Sequence, residues 1–254
     1  MNTGAKKLSS KQLANIVRPV LDAYSVELER TRKSAEARGK RRDWLWDGFI
    51  SAFATSGGSR HYDEQIKPHR ERYRWQAIER LSDPNRRELL RAAVNPRWRE
   101  KKDGTPWYSA HLEGAFQRFR SAGGPGAILK EYESCKTAPE RVSYLTTFRG
   151  IGKKYARDIP MGAYDAMFRK HFAIDARLKS ILRATGNYTG KYEIDEKYLR
   201  DVAHHLKVNC WDLDKTLYTK RDEVLERLGA PISRGSKHAT PSGGCMSPRS
   251  CKGR

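Results

Sequence analysis

The chain has 254 residues, 37% hydrophobic and 32% charged, and a formal net charge of +21. The apolar share can build a core in one large domain or two small ones, and no apolar run approaches the roughly eighteen residues of a membrane span. Removing the five Lys/Arg of the acid-free stretch 231–254 from +21 still leaves +16, so the body itself is basic and the expected partner is a polyanion rather than a lipid bilayer.

Residues 1–43 read as an N-terminal helix and basic linker. Leu13, Val17, Val20, Leu21, Tyr24 and Leu28 recur at three- and four-residue steps, the period of one helical face. Ser9 or Ser10 is the candidate cap and Pro19 a candidate kink. The pattern then dissolves into basic runs at 29–33 and 38–42, either a solvated face or a phosphate contact. The N-terminus has no signal-peptide core, so the expected location is cytoplasmic, or nucleoid-associated if the source is bacterial.

Residues 44–230 read as the main helical domain. Stretch 43–55 is the most apolar of the first half and predicts a buried helix. Residues 56–62 follow as a loop whose Gly57-Gly58 pair permits a tight turn. Helices are expected at 73–81 and 84–94, the second with Asp83-Pro84 at its start. A basic loop at 95–104 interleaves Arg97, Arg99, Lys101 and Lys102 with Trp98, and Trp107 and Tyr108 open a helix over 109–122. Cations interleaved with aromatics suit nucleic acid, although tryptophan is more often core. Gly123-Gly124-Pro125-Gly126 breaks the chain before a short helix at 128–133.

The densest signal runs from Phe148 to Leu182. Thr137-Ala138-Pro139-Glu140 is a capping-box pattern with proline in the first turn. Phe148-Arg149-Gly150-Ile151-Gly152-Lys153-Lys154-Tyr155-Ala156 is a Gly-x-Gly turn opening into a helical run. Such a helix, hairpin, helix arrangement, with Arg149, Lys153 and Arg157 around two glycines, can point backbone amides at a phosphate without reading base sequence. Further on, Ile174-Asp175-Ala176-Arg177-Leu178 sets a lone carboxylate before another helix over 177–185. Taken alone, Asp175 also reads as an N-cap. Helices follow at 195–206 and 213–228, the latter led by an Asn209 cap. The stretch 231–254 is Ser/Gly/Pro-rich and basic, a disordered tail. No convincing strand run occurs, so the fold class is all-α. Cys135, Cys210, Cys245 and Cys251 form no Cys-x-x-Cys pair, and no Asp/Glu/His cluster has metal-ligand spacing. No catalytic metal and no cofactor are expected.

The pattern Phe148-x-Gly150-Ile151-Gly152-x-Lys154-x-Ala156, followed by Ile174-Asp175-Ala176-Arg177-Leu178, resembles the helix-hairpin-helix DNA glycosylase superfamily in its bifunctional Lys/Asp form. The resemblance is strongest over 139–184 and extends over about 44–229. Pro160 and a slightly long Lys154-to-Asp175 interval depart from the family pattern. The resemblance implies two helical lobes with a central cleft, and Asp175 as the catalytic carboxylate. It also implies Lys154 as the nucleophile, with Gly150, Gly152, Arg149, Lys153, Arg157 and Arg177 on the DNA backbone. Residues 56–62 stand where the family's minor-groove loop would be, which nominates Arg60 and His61 for DNA contact. Trp44, Trp46, Phe168, His171, Phe172 and Trp211 are candidate walls for an everted base. Family hairpins often hold a monovalent cation on backbone carbonyls, here between Phe148 and Gly152. The cysteine spacing rules out the iron–sulfur cluster of some members.

The expected activity is excision of a modified or damaged base from double-stranded DNA by a monomeric protein, in base-excision repair or in defence against modified foreign DNA. N-glycosidic cleavage leaves positive charge on the sugar and negative charge on the base. Asp175 suits the first, and an amine at Lys154, its pKa expected to be lowered by partial burial and by the cations Lys153 and Arg157, could attack C1′ and permit strand cleavage by β-elimination. The competing readings are a monofunctional glycosylase with an incidental Lys154, and a non-catalytic DNA-binding protein.

Overall fold

Ser9 begins the first helix through a reciprocal box: its hydroxyl accepts from Gln12 N at 3.2 Å while Gln12 Oε1 accepts from Ser9 N at 2.8 Å. In the computed structural model, which describes residues 7–231, this helix, α1 (Ser10–Gly39), runs without a break. Pro19 does not interrupt it. Both Pro19 and Asn15, whose carbonyl loses its partner to the proline, are exposed, so water can satisfy that carbonyl. The basic run read as a linker is also helical as far as Gly39. Glu29 pairs with Arg32 at 2.6 Å and Lys33 at 3.8 Å, and Arg32 reaches Asp212 at 2.8 Å. Charge pairing, not apolar periodicity, carries this end of the helix.

Beyond it come α2 (Trp44–Thr55), a π-helical turn at Tyr62–Ile66, a 3-10 turn at Lys67–Tyr73 and α3 (Trp75–Glu79). Next are α4 (Asp83–Ala93), α5 (Pro96–Arg99), α6 (Tyr108–Ser121), α7 (Pro125–Ser134) and α8 (Ala138–Thr146). The chain finishes with α9 (Tyr155–Met161), α10 (Ala176–Ala184), α11 (Tyr192–Leu206), α12 (Cys210–Thr219) and α13 (Arg221–Arg227). Among the described residues the fold is all-α, with one isolated antiparallel bridge, Glu100 to Pro106. The helix expected at 73–81 shortens to α3. The loop at 95–104 contains α5, because Asn95 caps it by accepting from Arg97 N at 3.1 Å. The single helix expected over 213–228 is two helices. It breaks at Lys220, whose ammonium sits 5.1 Å from the Tyr24 ring. The bend lets both α12 and α13 pack on α1. The tail expected over 231–254 lies, beyond Pro231, outside the described residues.

The helices sort into two packing groups. One is α2 with α4, α6, α7 and α9; the other is α1 with α10 to α13. Buried residues from both join in one core. Trp46 is fully buried and meets Trp75, Phe116 and Phe119 edge-on at 5.5, 5.8 and 5.4 Å. Truncating such a side chain costs about 3–5 kcal/mol. A polar contact ties the groups together: Trp211 Nε1 of α12 donates to Met161 O of α9 at 2.7 Å.

Candidate active site and nucleic-acid interface

Thr137 caps α8 as its sequence predicts. Its hydroxyl accepts from Glu140 N at 3.3 Å, and Glu140 accepts from Thr137 N at 3.1 Å. The chain then turns through 147–154 and enters α9, which ends one residue after Pro160. The two glycines of the turn are there for different reasons. Gly150 has φ +90°, and a Cβ there would lie 2.9 Å from the Phe53 ring and 3.0 Å from His111 Nδ1. The fold itself requires that glycine. Gly152 is exposed, lacks a positive φ, and a Cβ there would meet nothing within 4 Å. The fold does not need it, so its missing side chain is free to serve an approaching molecule. Arg149 and Lys153 are exposed beside it. Arg157 folds back, donating to Lys153 O at 3.1 Å and lying 4.0 Å over the Tyr192 ring. The carbonyls of Phe148 and Gly152, read as cation ligands, accept from Ile151 N and Ala156 N.

Lys154 stands at the start of α9 and reaches Asp158, one turn on, at 3.1 Å; its ammonium also lies 4.0 Å from the Tyr155 ring. Burial works to lower its pKa. The charge of Asp158 overrides this, helped by Tyr155 and by Asp175, and holds the amine above its ordinary value. The amine is therefore a stabilised ammonium, where the sequence suggested neighbouring cations would depress it.

Asp175 caps α10. One carboxylate oxygen accepts from Arg177 N at 2.9 Å and from Leu178 N at 3.0 Å. The cap role read in this residue is therefore present, and its charge also helps hold the Lys154 ammonium. Arg177 donates to Tyr218 O at 3.1 Å and lies 4.0 Å over the Tyr218 ring.

Three further groups enter from α9 and α12. Lys215 lies 4.0 Å from Asp158 and 3.3 Å from Asp214, and Asp214 accepts from Ala173 N at 3.2 Å. Burial pushes the Asp214 carboxyl up to about 6, against the pull of Lys215. Burial also opposes the Asp158 charge, but Lys154 and Lys215 outweigh it and hold that carboxyl below its usual range. The site is a chain of alternating charge, Lys154, Asp158, Lys215, Asp214, with the charge of Asp175 also acting on its first member. Sequence reasoning missed the last three. The i,i+4 spacing of Lys154 and Asp158 could have revealed one; no local signal marks Asp214 or Lys215, which the packing of α12 brings in from some sixty residues away.

The aromatic wall candidates are mostly core. Trp46, Phe168, Phe172 and Trp211 are at most 1% exposed. The indole N–H groups of Trp46 and Trp211 donate to the Tyr73 and Met161 carbonyls. They offer no face to a ligand, which corrects that expectation for these four. Trp44, also buried, packs edge-on against Tyr132 at 5.5 Å beside a cavity of about 470 Å³. His171 pairs with Glu196 at 3.1 Å. Arg60 is exposed and pairs with Glu64 at 2.8 Å, and His61 Nε2 is 3.0 Å from Ala92 O. A second cavity, about 320 Å³, lies between α6 and the hairpin turn, lined by His111, Arg118, Phe148 and Arg149 among others. Neither cavity is lined by Lys154 or Asp175.

Among the described residues no group of three or more His, Cys, Asp or Glu could hold a metal ion, and no helix is long and apolar enough to cross a membrane. The chain matches no protein-family model, no curated protein and no solved structure.

Proposed function

We propose that this protein is a DNA N-glycosylase acting on a modified or damaged base, with a lyase step through Lys154. The observation that carries the reading is the electrostatic coupling of Lys154 to Asp175, twenty-one positions on, whose charge helps hold the amine protonated beside a glycine turn that carries exposed cations. A buried salt-bridge network alone would not place its lysine next to an exposed Gly152 that the fold does not need.

In this reading the segment from α8 to α9 is a helix-hairpin-helix that holds the DNA backbone of a duplex, and the two packing groups are two lobes between which an everted nucleotide enters. The Asp175 carboxylate faces the sugar as the C1′–N bond breaks and its electron pair leaves with the base. The Lys154 ammonium gives a proton to the departing base, and the resulting amine bonds to C1′. Ring opening then yields a Schiff base. Loss of a C2′ proton and breakage of the C3′–O bond completes β-elimination. The protein acts as a monomer, in base-excision repair or in defence against modified foreign DNA.

A specific observation favours a second reading. The Asp158 ion pair keeps Lys154 protonated, which suits a monofunctional glycosylase in which water attacks C1′. Borohydride trapping on duplex DNA with an abasic site separates the two. A covalent adduct lost in Lys154→Gln supports the lyase. Base release that survives Lys154→Gln and disappears in Asp175→Asn supports the monofunctional enzyme. Intact DNA binding with no release from a panel of singly modified duplexes would leave only a binding protein.

A further inference from the structure

Trp98, Trp107, Tyr108 and His111 form a continuous ladder of half-buried rings. Trp98 meets Trp107 edge-on at 5.4 Å and stacks on Tyr108 at 6.0 Å; Trp107 and Tyr108 are 4.9 Å apart, and Tyr108 and His111 5.4 Å. The ladder is held from behind. Phe53, in the core, packs edge-on to Tyr108 at 5.8 Å, and Trp98 Nε1 sits where a Cβ on Gly57 (φ +83°) would be, 2.4 Å away. One end therefore touches the Gly57-Gly58 loop. The other touches the hairpin, where His111 Nδ1 lies against Gly150 and His111 shares the 320 Å³ cavity with Arg149 and Arg118.

Three features set these rings apart from the remaining aromatics. The other four tryptophans, Trp44, Trp46, Trp75 and Trp211, are at most 5% exposed, whereas Trp98 and Trp107 keep accessible surface. Trp98 Nε1 and His111 Nδ1 are buried against Gly57 and Gly150 with no hydrogen-bond partner among the described residues, so packing rather than a polar anchor sets these rings. The surroundings are cationic: Arg97 lies 5.1 Å over Trp98, Lys101, Lys102 and Arg149 are exposed, and burial and Arg149 together hold His111 below its ordinary pKa, so it stays neutral. Neutral rings flanked by cations fit a ligand with flat apolar faces and a polyanionic backbone, which describes unpaired nucleotides.

We infer that the Trp98–Trp107–Tyr108–His111 ladder is a stacking surface for unpaired DNA bases, running from the Gly57-Gly58 loop to the hairpin. A fully paired duplex hides its base faces and cannot use the ladder. The inference deepens the glycosylase reading by naming the form of DNA this face takes: locally opened rather than intact.

Intrinsic tryptophan fluorescence tests it on the full chain, because the four buried indoles are shielded and quenching reports on Trp98 and Trp107. Titration with oligo(dT) should quench emission, and a fully paired duplex of equal length should quench less. Trp107→Ala should bind oligo(dT) about tenfold more weakly, the loss of roughly one stacked base, and Trp107→Phe should recover most of the affinity. Thermal melting of both variants checks that they fold; Trp107 is chosen because Trp98 is wedged against Gly57. Absence of quenching by oligo(dT), or a folded Trp107→Ala that binds as the wild type does, overturns the inference. The two readings fail separately in the wild type. Quenching without a trapped adduct overturns the lyase and keeps the ladder; a trapped adduct without quenching does the reverse.

Discussion

Replacing Asp158 by Asn should move the pH at which Lys154 becomes reactive. The ion pair is 3.1 Å long, and the two side chains are 34% and 37% exposed. At that separation two unit charges attract by about 1 kcal/mol in water and about 5 kcal/mol at an effective dielectric of about 20. Exposure of roughly a third places the pair near the lower figure. One pKa unit is about 1.4 kcal/mol, so Asp158→Asn should lower the amine's pKa by about one unit. The direction follows from its present state. The pKa is held above the ordinary lysine value, so removing the anion brings it down, and below the pKa the neutral fraction rises about tenfold. The variant does not strand a cation, because Lys215 keeps Asp214 at 3.3 Å. The assay is single-turnover borohydride trapping on abasic duplex across roughly pH 6 to 10, where the rising limb reports the essential amine. The expected result is a limb displaced to lower pH and faster trapping near neutrality. A limb that stays in place, or moves to higher pH, would refute the claim that Asp158 sets the protonation of the nucleophile.

Asp175→Asn should separate cap from catalysis. Asparagine keeps the amide-accepting oxygen, so stability measured by urea denaturation should change by less than about 0.5 kcal/mol, whereas Asp175→Ala should lose about 1 kcal/mol; base release should fall about a hundredfold or more in both. The hairpin glycines should diverge in the same way. Gly150→Ala meets Phe53 at positive φ and should destabilise the fold by about 1–3 kcal/mol, while Gly152→Ala should melt like the wild type and bind duplex DNA more weakly. For Asp214, a folded pKa of about 6 against 3.8 when unfolded means the native state binds the extra proton. Its contribution therefore falls as pH rises from about 4 to 6, by up to about 3 kcal/mol. Stability curves of wild type and Asp214→Asn should diverge across that window and run parallel above it; parallel curves throughout would reject the assignment.

The parts legible in the sequence were those governed by neighbours a few residues apart. The Thr137 box, a cap at Ser9, the apolar face of α1 and the glycine break at 123–126 all follow from contacts within a turn or two of chain. Asp175 was legible as the cap of α10, while its pull on the Lys154 charge was not. The sequence reading failed where distant chain decides. A basic run looks like a solvated linker until Asp212 and Asp47 arrive to pair with Arg32, Arg38 and Arg41. Trp46 and Trp211 look like ligand platforms until their N–H groups are seen bonded to backbone in the core. Lys154 looked poised to lose its proton because its sequence neighbours are cations, yet the acid that matters sits one helical turn on, and α12 supplies two more charges that no local pattern announces.

The long first helix has a practical bearing on how this protein can be cut. Leu13, Val17, Val20, Leu21, Tyr24 and Leu28 are sealed against α11, α12 and α13, the same bundle whose α12 delivers Asp214 and Lys215. A fragment begun at Trp44 would bare that seam to water and leave Asp212 without Arg32. Such a trimmed protein should aggregate or lose the geometry around Lys154, while the N-terminal helix supplied in trans as a peptide should bring some of it back.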